Sequence, residues 1–213
     1  MDNKSRIRAV LFDMDGVLID AKEWHYEALN KALMLFGISI SRYEHIHSFD
    51  GLPTSEKLKM LSEQIYLPQK LHGFINEMKQ IYTMELIQER CRPIFQHEYA
   101  LARLKNEGYV IAVCSNSIRK TIETMMEKAG LISYIDLIMS NEDVSHAKPD
   151  PEIYTRAMET LGFDPAQCLI LEDNKNGIRA ATDSGAWLLK IGDVWDVNYS
   201  NISQKIHDIE SIT

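Results

Sequence analysis

The chain has 213 residues, a formal net charge of −8, 45% hydrophobic and 25% charged residues. That apolar share supports a packed core and leaves no compositional case for disorder, while the acidic balance argues against a general nucleic-acid binder, which needs clustered Lys and Arg. The first residues lack a signal-peptide pattern and no apolar run reaches spanning length, so a cytoplasmic protein with no membrane partner is expected.

Residues 8–12 (RAVLF) are nearly all apolar and run into the turn signal Asp13-Met14-Asp15-Gly16, which predicts a buried strand. Residues 21–90 lack β-branched runs and show helical spacing, as in Trp24, His25, Leu29, Ala32, Leu33 and Phe36, with breaks at Gly51-Leu52-Pro53 and Leu67-Pro68. Trp24, like Trp187 near the other end of the chain, is read as a packing residue. Beyond Cys91-Arg92-Pro93, strands are predicted at 110–114, 135–139, 168–171 and 185–191. Helices are predicted at 98–106, 121–129 and 152–161, stopping at Gly108, Gly130 and Gly162 as glycine-capped helices do. The alternation predicts an α/β protein with a doubly wound parallel sheet, built from residues 1–20 and 91–213, and an inserted all-helical domain over 21–90. The three cysteines form no C-x-x-C pair; Cys114 and Cys168 lie in apolar runs and read as small core residues.

Ligands of such sheets bind at the carboxyl ends of the strands. Three predicted strands deliver polar residues there: Asp13 and Asp15, Ser115 and Asn116, Glu172 and Asp173. Read alone, each acidic pair serves equally well as a helix cap. Two such pairs at one sheet edge, however, crowd carboxylates that a hard divalent cation would offset, and oxygen ligands suit magnesium. Lys148, in His146-Ala147-Lys148-Pro149, is held extended by the following proline and could aim inward, though alone it reads as a surface lysine. Ser115 and Asn116 sit at a strand-to-helix turn where anions bind, or simply cap the helix. Together the parts match phosphoryl transfer: a carboxylate nucleophile, a second acid, and cations on the transferred group.

Asp13-Met14-Asp15-Gly16-Val17, Ser115, Lys148-Pro149-Asp150-Pro151 and Glu172-Asp173-Asn174-x-x-Gly177 resemble, in order and over essentially the whole chain, the four motifs of the haloacid dehalogenase-like hydrolases. The insertion after the first motif looks like the helical cap of the β-phosphoglucomutase and phosphoglycolate phosphatase branch. The resemblance implies a Rossmann-like core and the following roles. Asp13 is nucleophile and magnesium ligand. Asp15 is general acid/base and lends its backbone carbonyl to the metal. Ser115 and Lys148 hold the phosphoryl group, and Asp173 and Glu172 complete the metal site directly or through water. Asn116, His25 and the cap glycine Gly51 are the candidate substrate-binding residues, although a packed helix residue is the preferred reading of His25.

Two departures bear on function. Asn174 stands where the family often has serine, and Asp50 and Thr54 stand where the mutases place Lys and Arg to grip a second phosphate. Lys57 and Lys59 could reach an anionic substrate, but a solvated helix face is the preferred reading. The expected activity is therefore magnesium-dependent hydrolysis of a small phosphate monoester (a sugar, polyol or amino-alcohol phosphate) through an aspartyl-phosphate, by a monomer or weak homodimer. The alternatives are a sugar phosphomutase and a non-catalytic protein on the same fold.

Overall fold

Every side chain of β1 (Ala9–Phe12) is buried, as it must be for the middle strand of a sheet covered on both faces. The computed structural model describes residues 7–49 and 51–212. After β1 the chain forms α1 (Lys22–Met34), the short α2 (Arg42–Glu44) running into a π turn (His45–Phe49), α3 (Thr54–Ile65) and α4 (His72–Arg90). It then alternates: α5 (Phe95–Asn106), β2 (Val110–Cys114), α6 (Arg119–Lys128), β3 (Leu137–Met139), α7 (Glu152–Leu161), β4 (Cys168–Glu172), α8 (Lys175–Asp183), β5 (Trp187–Lys190) and α9 (Tyr199–Ile212). The insertion contains helical elements only among the described residues.

The five strands pair in the order β3-β2-β1-β4-β5, and every pair is parallel. The chain builds outward from β1 through β2 to β3, crosses back, and starts β4 on the other side of β1. That reversal opens a crevice at the carboxyl ends of β1 and β4. Phe12 is in register with both Val113 and Leu171, so the residues that follow these strands emerge side by side.

Alternation along β1 splits the core. Val10 and Phe12 pack with Leu101 and Leu104 of α5, Ile122 and Met125 of α6, and Ile202, Ile206 and Ile209 of α9. Ala9 and Leu11 face the other way, toward Ile153, Tyr154 and Ala157 of α7 and Ala180 and Ala181 of α8. Full burial of one such large side chain contributes roughly 1.5–3 kcal/mol. The inserted helices carry a third apolar cluster of their own, including Leu29, Leu33, Phe49, Leu58, Leu61 and Ile75.

The strands begin or end within a residue or two of their predicted limits. α8 and α9 are additions to the predicted elements. α9 buries Ile202, Ile206 and Ile209, an i, i+4, i+7 stripe otherwise surrounded by polar residues. Trp24 and Trp187 both pack against the first core cluster.

Candidate active site

Asp13 leaves β1 with its backbone N–H donating to Leu171 O of β4 at 3.0 Å, which fixes its carboxylate beside the end of that strand. Lys148 Nζ donates to Asp13 Oδ1 and to Glu172 Oε1, both at 2.6 Å, and to Cys114 O at 2.8 Å. The ammonium is thus tied to the ends of three strands, and Lys148 is only 3% exposed. The second Glu172 neighbour is Tyr154, whose hydroxyl donates to the same Oε1 at 2.8 Å, while Oε2 accepts from Asp173 N at 3.1 Å. Burial and then the Glu172 charge push the Asp13 carboxyl well above the usual range, against the pull of Lys148. Burial opposes the Lys148 charge, but Asp13 and Glu172 outweigh it and hold the ammonium firmly protonated. Removing one partner from so buried a cluster costs roughly 3–5 kcal/mol.

Asp13, Glu172 and Asp173 each offer a carboxylate oxygen, and these lie within 4.8 Å of one another. Three hard oxygen donors in a buried recess fit a divalent cation such as magnesium. Two lysines supply positive charge at this cluster: Lys148 on Asp13 and Glu172, and Lys22 Nζ at 2.5 Å from Asp173 Oδ2. The Asp15 side chain lies outside the cluster.

Asp15 is turned toward the cap instead. Its Oδ1 lies 3.0 Å from His25 Nε2, its Oδ2 accepts from Ser117 Oγ at 3.3 Å, and the other ring nitrogen of His25 lies 3.2 Å from Lys79 Nζ. Burial pushes the Asp15 carboxyl up, yet His25, Lys79 and the Ser117 hydrogen bond together hold it below its ordinary value. Burial lowers His25, Asp15 raises it and Lys79 lowers it again, with a net decrease.

Asn116 joins cap to core. Its Nδ2 donates to Gly51 O at 2.9 Å and Lys148 O at 3.3 Å, and its Oδ1 accepts from Lys148 N at 3.0 Å. Gly51 has φ +72°, and a Cβ there would stand 2.7 Å from Asn174 Oδ1; only glycine allows this backbone so close to the core. Asn174 in turn caps α8, accepting from Gly177 N at 3.0 Å. Ser115 is buried beside these groups, its Oγ accepting from Ser117 N.

These residues line one cavity of about 150 Å³, which takes in Asp13, Asp15, His25, Gly51, Ser115, Asn116, Lys148 and Asn174. Every predicted site residue is therefore at this place, since Glu172 and Asp173 sit directly behind Asp13. Asp50 lies outside the described residues, whereas Thr54 lines the cavity.

The cap contributes more than the motifs foretell. Lys57, Lys79, His45 and Asn76 also line the cavity, and Lys57 is buried rather than on a solvated face. Lys59 does take the solvated position, paired with Glu56 at 2.7 Å. A signal for Lys79 existed: α4 buries Ile75, Lys79 and Thr83 at intervals of four, placing a lysine on the stripe reserved for apolar residues. Tyr154 was hidden in the same manner, within the apolar stripe of α7.

Residues 10–190 match the model of the haloacid dehalogenase-like hydrolase family. The chain belongs to that family and is an enzyme. A phosphorylated carbohydrates phosphatase of Thermotoga maritima is 29% identical over 182 residues, covering 84% of this chain and 82% of that relative. A pyrophosphatase, PpaX, of Oceanobacillus iheyensis is 28% identical over 213 residues, covering 97% of this chain and 94% of the relative. Among solved structures, a β-phosphoglucomutase from Clostridium difficile superposes with a TM-score of 0.82 at 24% identity, over 95% of this chain and 98% of its own. No helix among the described residues is long and apolar enough to cross a membrane.

Proposed function

We propose that this enzyme is a magnesium-dependent phosphatase that releases inorganic phosphate from a small soluble phosphate monoester through a covalent aspartyl-phosphate on Asp13. Residues 1–20 and 91–213 form the catalytic core, and 21–90 form the cap domain that selects the substrate. The observation that carries the reading is the division between two aspartates one residue apart. Asp13 sits in the acidic cluster with Lys148, while Asp15 is turned to His25 and Ser117. Two neighbouring carboxylates in separate surroundings suit separate roles: Asp13, beside Lys148 where a bound cation would keep it ionised, as nucleophile, and Asp15, on the cap side, as acid/base.

In this reading an Asp13 oxygen attacks phosphorus, the phosphorus–oxygen ester bond breaks, and Asp15 delivers a proton to the departing oxygen. Asp15 then takes a proton from the water that cleaves the acyl phosphate. Burial raises the proton affinity of Asp15 but His25, Lys79 and Ser117 lower it overall, and the negative charge of a bound phosphate raises it toward what an acid/base needs. Lys148, Ser115 and Asn116 hold the phosphoryl oxygens. Asp13, Asp173 and the Asp15 carbonyl would hold magnesium, with Glu172 acting through water because Lys148 and Tyr154 already occupy it. A bound magnesium ion supplies charge neutralisation for the transferred phosphoryl group.

The phosphatase and pyrophosphatase names of the relatives support hydrolysis. Phosphomutase chemistry is the second reading, favoured by the cap lysines Lys57 and Lys79 at the cavity. The test is phosphate release from a panel of monoesters with magnesium and with excess EDTA, alongside β-glucose 1-phosphate with and without glucose 1,6-bisphosphate. Magnesium-dependent phosphate release supports the proposal. Activity surviving in EDTA, or glucose 6-phosphate appearing faster than free phosphate, overturns it.

A further inference from the structure

A buried titratable side chain, His97, takes no part in the chemistry proposed above. It lies in the first turn of α5 and is 1% exposed. It heads the buried stripe His97, Ala100, Leu101 and Leu104, a place where leucine or valine would pack without the cost of burying an imidazole. Its ring is aimed at backbone instead: Nε2 lies 2.7 Å from Val194 O and Nδ1 lies 3.2 Å from Leu18 O.

The two carbonyls belong to separate parts of the core. Val194 opens a short turn after β5, and α5 grips that turn a second time, Gln96 Nε2 donating to Trp195 O at 2.6 Å and Val197 O at 3.1 Å. Leu18 lies in the turn that carries Asp15. Its N–H and that of Ile19 donate to Met14 O at 3.0 and 2.9 Å, and Gly16 N donates to Ile19 O at 2.7 Å. Leu18 is fully buried, and a buried carbonyl left unpaired is costly. Burial lowers the proton affinity of His97 and the two carbonyls raise it, with a net decrease, so the ring carries one N–H in neutral solution. Val194 O already accepts from Val197 N at 3.2 Å; Leu18 O is thus the carbonyl that depends on that proton.

We infer that His97 is a positioning residue for Asp15: its Nδ1–H holds Leu18 O and so fixes the turn that carries Asp15 against the frame made by α5 and the turn after β5. The inference rests on the phosphatase reading and deepens it. Asp15 is then steadied from two sides, its carboxylate by His25 and Ser117 and its backbone through Leu18. The tie also stands at the root of the cap. The chain enters α1 shortly after Leu18, and it returns from α4 through Cys91 shortly before His97. A carboxylate that must meet the ester oxygen is sensitive to such support, because a misplacement of about 1 Å can cost on the order of 10²-fold in rate.

His97→Asn brings an amide nitrogen near the place of Nδ1, and His97→Gln brings one near that of Nε2, so the two variants keep different halves of the tie. Both are compared with His97→Leu and the wild type, in the full chain with magnesium, on an alkyl and an aryl phosphate. His97→Gln and His97→Leu should lower kcat on the alkyl phosphate about tenfold or more, with less loss on the aryl phosphate and little change in KM. His97→Asn should keep the wild-type ratio of the two rates. Added to Asp15→Asn, His97→Leu should cost almost nothing further. Two readouts need no turnover. Ring-nitrogen NMR should find a proton on Nδ1 of His97 in the wild-type protein, and amide exchange at Leu18 and Ile19 should speed up in His97→Gln but not in His97→Asn.

A bare Nδ1 in the wild type overturns the inference, whether or not the variants fold. So do equal effects of His97→Asn and His97→Gln, equal losses on alkyl and aryl phosphates, or a loss that persists undiminished alongside Asp15→Asn. A protonated Nδ1 and the expected exchange pattern in a protein releasing no phosphate would preserve the tie and sink the phosphatase reading instead.

Discussion

Lys22 Nζ, at the start of the first cap helix, lies 2.5 Å from Asp173 Oδ2 on the core. The ammonium therefore stands on a carboxylate that the proposed metal site needs. Lys22 is 40% exposed at the side chain, so the pair is screened and worth at most about 1 kcal/mol. Lys22→Met is expected to tighten the apparent magnesium affinity by up to about fivefold, since the cation no longer competes for Asp173. Magnesium titrations of the melting temperature check this. An unchanged or weaker affinity would mean that Lys22 supports the site rather than competing for it.

Asp15→Asn should lower turnover of alkyl phosphates by about 10²–10⁴-fold, the usual worth of general acid/base help. An aryl phosphate, whose leaving oxygen needs little protonation, should lose less. Parallel steady-state rates on both substrate types measure the difference, and equal losses would remove Asp15 from the acid role.

Burial and Lys57 lower Lys79 from an ordinary value of 10.5 to about 7. A lysine depressed in the folded state gives up its proton more readily there than in the unfolded chain. Its destabilising charge is fully present below about pH 7 and is relieved as pH rises from 7 toward 10.5. Lys79→Met should thus melt above the wild type at pH 6, with the gap narrowing toward pH 10. Melting temperatures across that range decide it; a gap independent of pH would show that the charge is not squeezed.

A Cβ added at Gly177 would overlap the Glu172 carboxylate, and Glu172 is held in place by Lys148 and Tyr154. Alanine is ordinarily the better helix residue by roughly 1 kcal/mol, yet Gly177→Ala should destabilise by about 1–3 kcal/mol through overpacking. A lower melting temperature and a raised magnesium midpoint are expected. A more stable protein with normal metal affinity would show that Glu172 can move aside.

The core half of the site could be read from the chain because each part is local. Asp13, Ser115 and Glu172-Asp173 follow apolar strands, and strand order does the rest. The cap half could not be read in this way. Lys57 looks like its solvated neighbour Lys59 until α3 is packed, with Leu58 and Leu61 turning it inward. His45 reaches the cavity only because a π turn follows α2, a backbone state that no residue pattern here announces. Asn116 reads as a possible helix cap, and its bond to Gly51 O appears only when cap and core meet.

The strand order also sets when the enzyme comes into being. β1 carries Asp13 and is made first, but its acidic companions stand on β4, made after most of the chain. Until β4 docks against β1 through the Phe12–Leu171 register, Lys148 has no Glu172 to grip and Asp13 has no cation recess beside it. An unfinished or clipped chain lacking β4 would carry the proposed nucleophile, Asp13, without the acidic cluster beside it.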